Sequence, residues 1–440
     1  MRILHTSDWH LGQHFMNRSR EQEHKLFLEW LLKCIQEQQV DAVIVAGDIF
    51  DTGTPPSYAR TLMNQFIVDL HALGGPQLVI LGGNHDSVAT LHESRSLYSC
   101  LNTYVIGAAS KEPEQQVITL NDKYGKPGAI VCAVPYIRPR DVLMSYAGDS
   151  REQKERALRE AMTGHYRAVY DLAEKKATAH NLPVITTGHL TTVGGKLSDS
   201  ERDLYIGTLS AFPAEAFPAA DYIALGHLHR AQKVGDHDHI RYSGSPIPLS
   251  FDECQSAKQV LLVDFEGGQL SNVTEIAIPR FRKMAHLHGT LDVIEGKLQA
   301  LLAQSWDTDL TTWVDSLVSE PDWISELQLK VDAMIAGQPV EALKVQRDRQ
   351  KTTVALMGEE KETLAELNID DVFARRLISA EVSSESSEKL SDLFQQVVAS
   401  LADDFDEGHL STDLENRRLK EYSFDIAAAN NKSTRQESTS

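Results

Sequence analysis

Five times within residues 1–230, a short apolar run leads directly into Asp, Asn or His. "RILHTSDWH" delivers Asp8 and His10, and "VIVAGD" delivers Asp48 with Asp51 three residues on. "VILGGN" delivers Asn84 and then His85, "VITTGH" delivers His189, and "YIALGHLH" delivers His227 and His229. Runs of Val, Ile and Leu without alternation predict strands covered on both faces. Ligands of open α/β proteins gather at the carboxyl ends of such strands. A Gly stands just before most of these polar residues, where it lets the chain turn sharply and approach an ion. The pattern therefore demands a fold in which several strand ends meet along one edge.

Between the runs the periodicity becomes helical. Helices are predicted over Ser19 to Gln38, Ser57 to His71, Leu91 to Cys100 and, longest, Ser150 to His180. "AIVCAV" (129–134), "HIRYSG" (239–244) and "QVLLVDF" (259–265) add further strands. The class expected is α/β, with two sheets stacked as a sandwich and flanked by helices. Near Pro279 the character changes to a smaller α+β unit. "TTWVDSLV" is its predicted strand, and "DVIEGKLQALLAQS" and "EPDWISELQLKVDAMI" are its predicted helices. Two C-terminal helices follow between Met357 and Leu401. In the second, Leu390, Leu393, Phe394, Val397, Val398 and Leu401 form one apolar stripe on an acidic helix. On pattern alone, packing within its own domain accounts for that stripe more simply than a docked partner does. The tail ending "NNKSTRQESTS" has almost no apolar content and is expected to be disordered. The expected divisions are 1–278, 279–352, 357–402 and 403–440.

Composition narrows the class. Hydrophobic content of 42% and charged content of 24% are ordinary for a soluble globular protein. The opening "MRILHTSDWH" does not read as a signal peptide, and no run approaches the roughly 20 apolar residues of a membrane span. Four widely spaced cysteines, without CxxC, form neither a zinc-finger pattern nor a disulfide framework; buried thiols in a reducing cytoplasm are expected. The net charge of −20 argues against a surface that attracts nucleic acid over its whole area. It leaves room for a local basic patch or a bound cation. Met357 to Thr412 holds 14 acidic and 4 basic residues, a net −10 and half of the total.

The polar residues make a coherent donor set. Asp8 and Asp48 are carboxylates, Asn84 offers an amide oxygen, and His10, His189, His227 and His229 offer imidazoles. Mixed N/O donors without thiolate suit Mn²⁺, Fe²⁺ or Zn²⁺ better than Ca²⁺ or Mg²⁺. Seven donors exceed one tetrahedral site and suit two ions about 3.5–4 Å apart, bridged by a carboxylate. Strand alternation would put Asp8 and His10 on one face, and His227 and His229 share that spacing. Any one of these motifs alone is more often a turn or a surface pair; five together are hard to obtain by chance. Other histidines read as structural or solvated. The "DHDH" stretch at Asp236 to His239 reads as a hairpin turn. His286 and His288 lack companions, and His14, His24 and His92 lie on or beside helices.

The order DxH, GDxxD, GNHD, GH and GHxH resembles the calcineurin-like metallophosphoesterases. "VIVAGDIFDTGTPPSYAR", "GGNHDSVATL", "DYIALGHLHRAQ" and "RYSGSPIPLSFDE" are similar to the SbcD family, the nuclease subunits of bacterial SbcCD complexes. The resemblance is dense to about residue 280, looser to about 402, and silent on the tail. It implies a binuclear centre with two Mn²⁺ per chain, for which Fe²⁺, Zn²⁺ or Mg²⁺ could substitute. Asp8, His10, Asp48 and His229 would hold one ion. Asp48 would bridge to a second, held with Asn84, His189 and His227. His85 would be a catalytic histidine beside the scissile phosphate, with Asp8 orienting its ring.

The resemblance further implies exonuclease action on double-stranded ends and endonuclease action on single strands or hairpins. The α+β unit would be a capping domain shaping DNA access. The 357–402 helices would dock an SbcC-type SMC-like ATPase, consistent with the absence of GxxxxGK[ST] here. Homodimerisation through the Ser57–His71 and Leu91–Cys100 helices would complete a cytoplasmic heterotetramer acting in DNA repair, replication and recombination. Arg18, Arg20, Arg60, Arg138, Arg140 and Arg230 could add phosphate contacts, though each alone reads as a plain surface residue. The competing readings are a small-molecule phosphodiesterase or phosphatase of the same fold, and a scaffold that has lost its chemistry. The extension beyond the core and the GSP segment, Gly244 to Pro246, weigh against the first. The complete donor set weighs against the second.

Overall fold

The computed structural model describes residues 1–143, 151–193, 211–303, 310–319 and 327–348, with the isolated positions 390 and 394. The chain divides into two units, Met1–Leu356 and Met357–Ser440. In the second unit only Leu390 and Phe394 are described, both helical. The rest of the predicted apolar stripe, the acidic tail and the 320–326 part of the "EPDWISE" helix lie outside the described residues.

The first unit opens with β1 (Arg2–Thr6), a small ribbon of β2 (His14–Phe15) and β3 (Arg18–Ser19), and α1 (Glu21–Glu37). Then come β4 (Ala42–Val45), α2 (Ser57–Ala72), β5 (Gln77–Leu81), α3 (Val88–His92), α4 (Arg95–Ser99) and β6 (Thr103–Ile106). The second half of the sandwich supplies β7 (Val117–Asn121), β8 (Pro127–Cys132), α5 (Pro139–Val142), α6 (Arg151–His180), β9 (Val184–His189) and β10 (Tyr222–Gly226). It closes with β11 (Gln232–Val234), β12 (His237–Tyr242), β13 (Gln259–Glu266) and β14 (Gln269–Ala277).

These strands form two six-stranded mixed sheets, β14-β13-β1-β4-β5-β6 and β11-β12-β10-β9-β8-β7. In the first, β1, β4, β5 and β6 run parallel; in the second, β8, β9, β10 and β12 do. The α/β sandwich expected from the sequence is therefore present. The unalternated apolar runs have a simple cause. In β4, Ala42 and Ile44 enter the core between the sheets, while Val43 and Val45 enter the core under α1 and α2. In β5, Val79 and Leu81 face inward and Leu78 and Ile80 outward. Both faces are buried, so both parities must be apolar. On the far side, Met162, Tyr166 and Val169 of α6 pack on Ile130, Ile223 and Leu225. Each buried Val, Ile, Leu or Met side chain among these contributes about 1.5–3 kcal/mol.

A third sheet belongs to the smaller α+β unit. β15 (Met284–Gly289), β16 (Thr312–Val318) and β17 (Val340–Arg347) are all parallel, crossed over by α7 (Leu291–Leu302) and α8 (Leu327–Ile335). α7 begins where the Thr290 side chain accepts from the Val293 N–H, an N-cap.

Some local expectations are corrected. The helix over Leu91 to Cys100 is two short helices, α3 and α4. The turn in "DHDH" is only Gly235–Asp236; His237 to His239 already belong to β12. Cys100 is exposed, whereas Cys34, Cys132 and Cys254 are buried. His286 and His288 do have companions: His286 Nδ1 lies 2.9 Å from Asp315, and His288 Nε2 lies 3.1 Å from Asp348.

The largest correction concerns Arg20. It is wholly buried rather than a surface cation. Its Nη2 donates to Glu23 at 2.6 Å, and Arg282 Nε donates to the same carboxylate at 2.8 Å. Burial would raise the Glu23 carboxyl, but the two guanidinium groups hold it below its usual value. Trp313 of β16 stacks on Phe15 at 5.7 Å and 7°, with Arg282 3.9 Å from its ring centroid. This Arg–Glu–Arg group fastens the smaller unit to the sandwich. Arg20 also donates to the Pro248 carbonyl and to Gln13, so the fastening reaches loops that approach the strand-end edge. Glu23→Gln leaves two buried guanidinium groups without their shared counter-charge. It is expected to cost about 3–5 kcal/mol, read as a lower urea midpoint by circular dichroism; an unchanged midpoint would show the fastening to lie elsewhere.

Candidate metal centre

The parallel strands of both sheets end on one edge, and the polar residues that follow them converge there. Asp8, His10 and His229 form one group whose donor atoms lie within 4.8 Å of one another; Asp48, His189 and His227 form a second. Asp48 stands between them. Its Oδ2 lies 3.2 Å from His189 Nε2 and 3.6 Å from His10 Nε2, while Oδ1 accepts from the His85 N–H at 2.9 Å. Asn84 Oδ1 lies 2.9 Å from His189 Nε2. All seven donors selected from the sequence, and His85, are thus brought together.

The reason Asp8 and His10 share a group is not strand alternation. β1 ends at Thr6, and both residues take left-handed backbone conformations, with φ 53° and 45°. Asp48 and His227 do likewise, with φ 50° and 97°. Non-glycine residues rarely sit there, and such conformations cluster at functional sites. For the same reason His227 and His229 part company after β10 ends at Gly226, one joining each group.

The preceding glycines also have a sharper role than turning the chain. A Cβ on Gly47 would lie 2.2 Å from His189 Nδ1, on Gly83 2.1 Å from Asp48 Oδ1, and on Gly226 1.9 Å from the Ala46 carbonyl. They let one donor-bearing strand end approach the next.

The donor electrostatics fit a cation. His189 Nδ1 donates to the Ala46 carbonyl at 2.8 Å, which turns the lone pair of Nε2 toward Asp48 and Asn84 oxygens. Two oxygens facing one imidazole lone pair at 2.9 and 3.2 Å repel it unless positive charge lies between them. Metal–ligand bonds of about 2.0–2.2 Å meeting near a right angle place ligands roughly 3 Å apart. Protons alone reveal the same demand. Burial lowers His189, yet Asp48 outweighs it and raises the imidazole to about 9; burial lowers His10, yet Asp51 and Asp48 raise it to about 9. Burial and the neighbouring His189 push His227 well below its usual value. His10 Nε2 and His227 Nε2 are buried without a hydrogen-bond partner among the described residues. The centre is short of cations, and its His and Asp donors suit a metal.

Supporting residues lie behind the donors. Asp51 Oδ1 contacts His10 Nδ1 at 3.1 Å, and its carbonyl accepts from His85 Nδ1 at 2.7 Å. Asp51, not Asp8, therefore orients the His85 ring; Asp8 instead accepts from the His227 N–H and from Ser7 Oγ. Asp86 accepts from the N–H groups of Gly83, Ile49 and Phe50 and so braces the turn. Sequence reading missed Glu253, 3.4 Å from His229 Nδ1, and the buried Lys258 that donates to Glu253 at 2.5 Å and to the His229 carbonyl at 3.0 Å. Burial would raise Glu253, but His229 and Lys258 hold it far below the usual carboxylate range. The GSP segment now has a physical role. The Ser245 N–H donates to the His229 carbonyl, and a Cβ on Gly244 would lie 2.8 Å from that oxygen. No spacing rule links residues 229 and 253, which explains the omission.

Comparison with known proteins identifies the family. The calcineurin-like phosphoesterase model matches residues 1–231, just over half of the chain. A model described as the type 5 capsule protein repressor C-terminal domain matches residues 280–381. The SbcD component of nuclease SbcCD from Escherichia coli K12 is 48% identical over 402 residues, spanning 91% of this chain and 99% of its own. The SbcD proteins of Rhodobacter capsulatus (37%; 64% and 70% of the two chains) and Bacillus subtilis (30%; 74% and 81%) are more distant. The chain belongs to the calcineurin-like phosphoesterases and, within them, to the SbcD family of SbcCD nucleases.

Proposed function

We propose that this chain is a Mn²⁺-dependent, two-metal DNA nuclease, the catalytic subunit of an ATP-dependent SbcCD-type complex. The observation that carries the reading is the convergence of two N/O donor groups on Asp48 Oδ2, with His85 held against the same carboxylate. Asp8, His10, Asp48 and His229 would hold one ion, and Asp48, Asn84, His189 and His227 the other. When bound, two divalent ions supply charge neutralisation at a phosphodiester and a more acidic water.

The chain's own residues supply the rest. Asp51 fixes the His85 tautomer by accepting from Nδ1–H, so that Nε2 is the nitrogen that carries or releases the exchangeable proton. A protonated His85 would stabilise negative charge developing at phosphate or protonate the leaving oxygen. Asn84 gives a neutral oxygen where a further carboxylate would repel substrate. Glu253 and Lys258 keep His229 oriented, as outer partners of ligating imidazoles do.

The wider reading follows the family. The nuclease domain would span 1–278 and the capping domain 279–352, with the 357–402 helices on an SbcC-type partner ATPase. Homodimerisation would use α2 and the Leu91–Cys100 segment of α3 and α4, on which Val68 and Leu97 are 50% and 63% exposed. A cytoplasmic site of action would follow the family; no described helix is long and apolar enough to cross a membrane.

The test of this function is hairpin and linear duplex DNA set against bis-p-nitrophenyl phosphate, with partner ATPase and ATP present. DNA cleavage that is lost to chelator and restored by Mn²⁺ is expected; hydrolysis of the generic ester alone would sink the nuclease reading. His85→Gln is expected to keep fold and Mn²⁺ content while cleavage falls by about 10²–10⁴. Near-normal cleavage would remove His85 from the chemistry. Glu253→Gln is expected to weaken Mn²⁺ binding by about 10–100-fold in calorimetric titration, and unchanged affinity would confine Glu253 to packing.

A further inference from the structure

A sixth strand end reaches the same edge without bringing a metal donor. β8 is the neighbour of β9, and the chain beyond it, "AVPYIRPR", turns over the Gly82–Asp86 loop. The Tyr136 N–H donates to the Gly82 carbonyl at 2.8 Å, and the Tyr136 ring stands edge-on to His189 at 6.4 Å. Arg138 follows. Its Nη2 donates to the Asp86 carbonyl at 2.9 Å, one residue from His85, and its guanidinium lies 5.9 Å from the Tyr136 ring centroid.

What sets Arg138 apart is its place: it stands beside the centre with no counter-charge among the described residues. Arg2, Arg18, Arg20, Arg60, Arg241 and Arg282 each face a carboxylate. Arg138 is half-buried, and its side chain has the one carbonyl acceptor and no carboxylate partner among the described residues. One of its five N–H donors is thus committed, and that bond fixes the plane of a fork suited to two oxygens of a phosphate. A half-buried cation with no counter-charge is costly for stability alone. It is explained if the partner arrives with the substrate.

We propose that Arg138 is a substrate-positioning residue that grips a phosphate of the DNA strand beside the Asn84–His189 side of the centre. The inference rests on the nuclease reading and names one element of its substrate contact. The Tyr136–Gly82 and Arg138–Asp86 bonds would couple that grip to the turn carrying Asn84 and His85.

The test compares the full-length wild type with Arg138→Gln and Arg138→Lys. Gln keeps a donor for the Asp86 carbonyl but loses the charge; Lys keeps the charge but loses the fork. Binding of a fluorescent duplex end is measured in chelator across a salt series, with cleavage kinetics in Mn²⁺ alongside. For Arg138→Gln we expect roughly tenfold weaker binding and a log–log salt slope shallower by about 1. KM should rise more than kcat falls, with Mn²⁺ affinity and thermal midpoint unchanged. Arg138→Lys should recover the salt slope but not the full KM. Wild-type affinity and slope in Arg138→Gln would overturn the proposal while leaving the nuclease reading intact. Equal loss of Mn²⁺ affinity in both variants would also overturn it, by assigning Arg138 to the fold. A wild type that neither binds nor cuts DNA would overturn both readings together.

Discussion

The Asp48 carboxylate is where the two sheets are tied to one another. It follows β4 of the first sheet, yet its Oδ2 faces His189 at the end of β9 in the second. Its Oδ1 takes the His85 N–H, which fixes the turn beyond β5. Burial alone would hold this carboxyl protonated, but the imidazoles around it keep it well below its usual value. A charge so placed cannot be spared by either layer. The positive φ of Asp48 and the bare backbone of Gly47 and Gly83 are what this position costs the chain locally.

The smaller unit is joined through a different kind of contact. Glu23 lies between Arg20 and Arg282, and Trp313 covers the pair. Arg20 then reaches Gln13 and Pro248, in the segments that follow His10 and the Ser245 support of His229. Displacing the smaller unit therefore disturbs loops that flank the centre. Its own sheet is parallel and locally connected, with its core in Val314, Val318, Ile294 and Leu298.

Much of this was legible in the chain. Unalternated apolar runs announced strands buried on both faces, and the polar residues after them announced a common edge. Those signals are local, so they survive without a structure. What escaped was set by distant parts of the chain. Glu253 and Lys258 brace His229 across a loop, and nothing in residue spacing connects them. Arg20 reads as solvated because helix-entry arginines usually are; its burial is tolerable because Glu23 neutralises it and the distant Pro248 carbonyl accepts from it. Strand alternation misled for Asp8 and His10, because the strand had already ended and left-handed backbone set their directions. β6, β7, β14, β15 and β17 passed unnoticed since their half-exposed or polar positions blur the apolar signal.

The glycines at 47, 83 and 226 separate two properties that usually travel together. Their absent side chains record how tightly neighbouring strand ends are drawn in, whereas Asp48, Asn84 and His227 beside them record what those ends can bind. The first is a matter of volume and the second of charge, and drift can erase one without the other. A descendant that kept the glycines but replaced the donors would retain the architecture as a silent relic, recognisable from its hollows alone. One that kept the donors but gained a methyl group at any of these hollows would hold the right ligands in the wrong places.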